Sequence, residues 1–227
     1  MRHQKADLQI SKLAAARRQI DAAIRMFFSQ EDKLATYTVA SAAYKILRDI
    51  LKRRGKSALA GQLRANVLGV ANALRKGTLS DWEKEGLIGT ELWKIITQVA
   101  EMDDDSKFTL RISPDDEMKH FWRRDKPANF LKHADRDSED FLAINDVDLR
   151  GLLTESCMSY LDVMRVPTPE MEVYFAFQFA ESGDDFNTSS FAPHLIQMIS
   201  ALKKLSGQSR LRKCARMVAN RTTKTSA

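Results

Sequence analysis

The sequence predicts an all-α fold, and three observations carry that expectation. All five prolines lie after position 113, so the first half of the chain holds nothing that would interrupt a helix. That half is rich in Ala, Leu, Lys, Arg and Glu, the residues that lose least on entering one. Its apolar residues recur at spacings of three and four, as the buried stripe of an amphipathic helix requires.

The elements follow in order. In "ISKLAAARRQIDAAIRMFFS", Leu13, Ile20, Ile24, Phe27 and Phe28 form one stripe. A second helix covers "DKLATYTVASAAYKILRDILKRRG", with Val39, Ala43, Ile46, Leu47 and Ile50 as its inner face and Gly55 as its stop. The small residues of "ASAA" at 40–43 let the first two backbones approach closely. Ser57 caps a third helix that ends at Gly77. A turn-rich segment, "GTLSDWEKEGLIG", leads to a helix from Thr90 to about Met102, and "DDDS" reads as a solvated loop. "KFTLRIS" alternates, as a short strand or an extended connector would. Ser113-Pro114-Asp115-Asp116 starts a helix with a hydroxyl cap, a first-turn proline and acids at the positive end of the dipole. Pro127 starts another, and one more runs from about Asp146 to Arg165, stopped by Pro167. After Thr168-Pro169-Glu170 the residues Val173, Phe175, Phe177 and Phe179 alternate like a strand, but the capping chemistry favours a helix. "FAPHLIQMISALKKL" is helical up to Gly207, and the basic remainder is helical early and frays at its Thr/Ser end.

A chain of 227 residues suits one large domain, or one with a smaller unit appended. Hydrophobic residues at 44% are enough for a substantial core. No run approaches the roughly 18 apolar residues that cross a bilayer, and "MRHQKADLQI" lacks the apolar block of a secretory signal. Cys157 and Cys214 show no paired-cysteine spacing, so a reducing cytoplasm is expected, with no membrane partner. The net charge of +6 is concentrated at the end, where residues 201–227 hold eight basic side chains and no acidic one. The body is close to neutral, which excludes a globally basic nucleic-acid-binding surface and permits a basic segment that touches phosphate.

There are four histidines: His3, His120, His133 and His194. Glu117 and His120 have the Glu-x-x-His spacing of di-iron bundles, but no second copy exists, so no metal or other cofactor is expected. In "PANFLKHADRD" a helix begun at Pro127 would bring Asn129, His133 and Arg136 to one face, flanked by Lys132 and Asp135. An imidazole beside a guanidinium and an amide can move a proton and hold a phosphate diester, the needs of metal-free RNA cleavage. The alternative is that Asn129 and His133 satisfy backbone groups where a helix enters the core.

The stretch "ARRQIDAAIRMFFSQEDKLATYTVASAAYKIL" resembles the opening helix pair of HEPN-type proteins, a hydrophobic helix ending in Phe-Phe, an acidic turn and an Ala-rich helix. The resemblance covers roughly residues 10–150; "NFLKHADRD" is also similar to a segment of uncharacterised bacterial proteins. It implies a helical bundle, read over 1–165; the additional helices expected over 166–206 and the basic, partly disordered tail over 207–227 have no counterpart in a minimal HEPN bundle. It also implies a dimer and metal-independent endoribonuclease activity on RNA, at a motif of Arg, four to six residues, and His. On that motif Asn129 matches the polar residue and His133 the histidine, while Ala128 stands where the arginine belongs. The phosphate-holding cation then falls to Lys132 or Arg136.

Two functions are expected. The first is an RNA- or nucleotide-binding HEPN-like protein with a variant ribonuclease site at Asn129, His133 and Arg136, its nucleic-acid backbone held by Lys132, Arg210, Arg212, Lys213 and Arg216. The second is a non-catalytic helical module for protein–protein contact.

Overall fold

Most helices begin where a short polar side chain catches an early amide, leaving one fewer unsatisfied N–H at the exposed end. Ser11 accepts from the Ala14 amide at 3.1 Å to open α1 (Lys12–Phe28), and Asp32 accepts from Ala35 at 2.8 Å to open α2 (Lys33–Arg53). Ser57 does the same for α3 (Ala58–Arg75). α4 (Asp81–Leu87) is a short helix within the turn-rich segment, and Thr90 caps α5 (Glu91–Ala100). Ser113 caps α6 (Pro114–Lys132) through the Asp116 amide, Asp148 caps α7 (Leu149–Met164), and Thr168 caps α8 (Pro169–Glu181). α9 (Pro193–Lys203) starts on its proline, and α10 (Gly207–Thr222) follows. The computed structural model describes residues 9–132, 139, 141–182 and 191–222, and among these the ten α-helices are joined by two 3-10 turns and no strand. The protein is all-α.

α1 and α2 form an antiparallel pair, and α2 lies in turn along α7. Ala16, Ala23, Ala40 and Ala43 are fully buried there, so small side chains do bring the backbones together. The inner face of α2 differs from the one expected. It runs through Tyr37, Ala40, Tyr44, Leu47 and Leu51, while Val39, Ile46 and Ile50 are only partly buried. Two tyrosines displace two aliphatic residues because their rings fill core volume, and the Tyr37 hydroxyl reaches the Arg124 carbonyl beyond it.

The main core continues through α7, α8, α9 and α10, and includes Leu152, Met171, Phe177, Leu202, Cys214 and Val218. Both cysteines are buried free thiols in it. α8 is buried on most of its circumference, with Met171, Val173, Tyr174, Ala176 and Phe177 all enclosed, so its sequence shows apolar residues on both parities although it is a helix. Edge-to-face contacts join its Phe177 and Tyr174 to Phe27, and Phe177 to Phe28, at 5.3–5.8 Å.

A smaller second core lies between α3 and α5, around Val67, Ala71, Ile96 and Val99. Arg75 closes it. Its guanidinium donates to the carbonyls of Ala100, Val99 and Met102 at the end of α5 and to the Asp105 carboxylate. Arg64 donates to Phe108 O and Asp105 O, which fixes the segment expected as strand or connector in an extended, unpaired form.

Pro127 does not start a helix. It lies inside α6, which runs on to Lys132. Its missing N–H deprives the Arg123 carbonyl of a partner, and its ring disturbs the turn before it. In that turn the Tyr37 hydroxyl donates to Arg124 O at 2.7 Å. A side chain from α2 thereby ties down the backbone beside the carbonyl that the proline leaves without its helical donor.

Candidate functional site

α6 meets the body through a polar face. His120, Phe121, Arg124 and Asp125 recur at helical spacing and turn toward α2 and α7. Glu155, on the inner side of α7 and only 3% exposed, receives them. The Arg124 Nε donates to its Oε1 at 2.9 Å, with Nη2 on the same oxygen, and the His120 Nε2 lies 3.1 Å from Oε2. Arg124 also donates through Nη1 to Asp148 Oδ2 at 2.8 Å, while the other Asp148 oxygen caps α7 on the Gly151 amide. Gly151 has no side chain for a reason: a Cβ there would sit 2.1 Å from Asp148 Oδ2 and 2.6 Å from the Arg124 guanidinium. One turn along, Arg48 pairs with Asp125 at 3.0 Å and stacks on Phe121 at 4.4 Å.

The electrostatics follow from burial and from this pairing. Burial works to raise the Glu155 carboxyl, but hydrogen bonds from His120 and Arg124 and their charges outweigh it and hold the group below its ordinary range. Tyr37 is pushed up to about 12, chiefly by burial. Tyr44 is driven well above the usual tyrosine range by burial and then by the Glu155 charge, and its hydroxyl, 1% exposed as a residue, has no hydrogen-bond partner among the described residues. The guanidinium of Arg124 is committed on both edges, so it cannot also grip a phosphate. The cluster locks α6 onto α2 and α7.

Glu117 and His120 part company: Glu117 accepts from the Ser57 hydroxyl at 2.5 Å, and His120 takes Glu155. His194 pairs with Glu172 at 3.0 Å. Asn129 and Lys132 are exposed in the last turn of α6, whereas His133 and Arg136 lie outside the described residues, as does His3. Among the described residues no group of three or more His, Cys, Asp or Glu side chains is placed to hold a metal, and no helix is long and apolar enough to cross a membrane.

No family model, curated protein or solved structure matches the chain.

The basic residues of the C-terminal segment divide by the geometry of α10. Leu211, Cys214 and Val218 turn inward, against α1 and α8. Arg212, Lys213 and Arg216 turn outward, are exposed, and form no ion pair among the described residues. Arg210 is half-buried and donates to Leu202 O at 3.0 Å and Leu205 O at 2.9 Å, satisfying carbonyls at the end of α9.

A half-buried carboxylate, Asp21, joins α1 to α8. Thr168, besides capping α8, donates from its hydroxyl to Asp21 Oδ1 at 2.6 Å, and the neighbouring Glu170 pairs with Arg25 at 2.8 Å. The Asp21 carboxyl is raised from 3.8 to about 6, first by burial and then by Glu170, against the Thr168 hydrogen bond and the charges of Arg25 and Arg17. A carboxyl raised in the folded state lends stability that is complete below its unfolded value and lost as pH rises through about 6. Asp21→Asn, which keeps an acceptor for Thr168, is therefore expected to match the wild type below pH 4. Above pH 7 it should exceed the wild type by about 1–2 kcal/mol after solvent screening. Thermal melts from pH 3.5 to 8 check this; equal gains at both ends would contradict it.

Proposed function

We propose that the chain is an RNA-binding helical protein that holds a phosphate backbone along the outer face of α10. The carrying observation is the trio Arg212, Lys213 and Arg216, exposed and unpaired among the described residues on a helix whose other side is anchored by Cys214 and Val218. A basic run on a loose tail is ordinarily a solvated end; cations fixed on one face of a packed helix keep their spacing. Arg212 and Arg216 lie four residues apart, an axial rise of about 6 Å, close to two nucleotide steps of about 3.4 Å along one strand. The near-neutral body adds no competing attraction, and the HEPN resemblance of residues 10–150 supports RNA as the ligand.

The test is binding of a fluorescent single-stranded RNA at rising salt. Three neutralised phosphates give a slope of log K against log salt of about −2. Absence of binding at low salt removes the proposal. The resemblance adds cleavage through Asn129, His133 and Arg136 with Lys132. RNA left intact by the wild type, or cut equally by His133→Ala, removes that addition and leaves binding untouched.

A second reading, a non-catalytic interaction module, rests on Met118 and Trp122. They stand one turn apart on the outer face of α6 at 65% and 69% exposure. It predicts a larger species by sedimentation than for Met118→Ser/Trp122→Ser; a wild type that is monomeric at all concentrations tells against self-association.

A further inference from the structure

A cleft of about 440 Å³ opens where the start of α7, the end of α8 and the start of α10 converge, lined by Arg150, Gln178, Glu181, Ser182 and Arg210. Its size falls within the roughly 300–1,000 Å³ of small-molecule sites. Every lining residue is polar, so apolar packing does not explain the shape. Hydrogen bonds beneath it do. The buried Tyr174 hydroxyl donates to Arg150 O at 2.8 Å and receives the Gln178 amide at 2.6 Å. That leaves the Gln178 carbonyl oxygen as an unused acceptor among the described residues.

Each remaining group has a distinct capacity. The Arg150 guanidinium lies over the rings of Phe177 and Phe27, at 5.4 and 5.8 Å, and is held by Glu181 Oε2 at 2.6 Å. A guanidinium plane backed by aromatic rings is a platform for a nucleobase on its other side. Glu181 brings a carboxylate, the group that accepts hydrogen bonds from vicinal ribose hydroxyls. Arg210 uses Nε and Nη2 on the α9 carbonyls, which leaves Nη1 for an anion. On α10, Arg210 is followed at intervals of three by Lys213 and Arg216, so the cleft stands at one end of the basic face.

We propose that this cleft receives the 3′-terminal nucleotide of an RNA strand. The base stacks on Arg150, the free cis-diol donates to Glu181, and the nucleotide's phosphate meets Arg210. Gln178 and Ser182 face the edge of the base. The remainder of the strand follows Lys213 and Arg216, and to that extent the assignment rests on the reading of α10 given above. The carboxylate makes the site selective: it favours a terminal diol and repels a terminal phosphate, which an all-cationic cleft would welcome.

The test uses the full chain with 5′-AMP as the minimal probe, followed by titration calorimetry or chemical-shift changes. 5′-AMP binds, while adenosine and 2′,3′-dideoxy-AMP bind at least about tenfold more weakly, each lacking one charged or hydrogen-bonded contact. Glu181→Gln reduces the preference for the diol, and Arg150→Lys, which keeps the charge but not the plane, weakens all three. Thermal melts confirm that both variants are folded, and a variant that is not folded is replaced by Gln178→Leu, expected to weaken 5′-AMP. On strands, an RNA ending in a 3′-diol outcompetes the same RNA ending in a 3′-phosphate. Equal binding of 5′-AMP and its dideoxy analogue, or no binding of either, overturns the cleft; if RNA still binds with no preference for its end, α10 stands without it. A 3′-diol preference that survives charge reversal of Arg212, Lys213 and Arg216 with undiminished strand affinity upholds the cleft and overturns α10.

Discussion

Glu155→Ala is expected to lower stability by about 3–5 kcal/mol, the range found when one partner of a buried ion pair is removed and the other is left without its counter-charge. Among the described residues Arg124 would keep Asp148 alone, and His120 would lose its hydrogen bond to Glu155. Chemical denaturation gives the number. The cost should shrink when Arg124→Met is added, because the double variant leaves no stranded guanidinium charge; the double-mutant cycle reads the coupling. The pH dependence has a definite sign. The Glu155 carboxyl is held below its ordinary value of 4.5, so its contribution is present above that value and lost as the solution is acidified through the lower, folded one. Wild-type protein should therefore lose stability below about pH 4.5 more steeply than Glu155→Ala does. Parallel acid limbs for the two proteins would show that the cluster does not anchor α6.

The other large effect is expected at α10. Reversing Arg212, Lys213 and Arg216 to glutamate should reduce RNA affinity at low salt by about a hundredfold or more, taking about 1 kcal/mol for each lost phosphate contact. The salt slope should flatten from about −2 toward zero. Since the three side chains point away from Leu211, Cys214 and Val218, the melting temperature should change little. A variant that binds the same RNA with the same salt slope ends the proposal, and an intact slope with lower affinity would place the contacts elsewhere.

Much of the helix framework was legible because it is local. Ser11, Ser57, Thr90, Ser113 and Thr168 each lie within three residues of the amide they cap, and the proline at 169 sits beside its cap. The inner face of α2 was not legible on the same terms. Tyr37 and Tyr44 rank below Val39 and Ile46 as apolar residues, and what draws them inward belongs to α6 and α7, far along the chain. Pro127 reads as a helix start on local grounds, whereas the packing that carries α6 through it, with Tyr37 bonded to Arg124 O, comes from far along the chain. The Glu155 cluster joins residues 31 and 35 positions apart. One trace of it existed. In "LLTESCMSYL" Glu155 is the one charged residue among apolar and small polar neighbours, and an acid in that setting calls for a cationic partner. His120 was singled out by its spacing from Glu117, but spacing along one helix could not show that it faces a different glutamate. The cleft at Arg150 had no sequence signal, since its five residues come from three separate helices and the end of one of them.

The contact between α10 and α1 makes a helix synthesised late the cover for one synthesised early. On the ribosome, the faces of α1 and α8 that α10 covers therefore emerge before their cover, and such transiently exposed apolar surface is where growing chains associate wrongly. Cys214, seated on the inner side of that closing helix, would pass from thiol-reagent-accessible to protected when α10 docks.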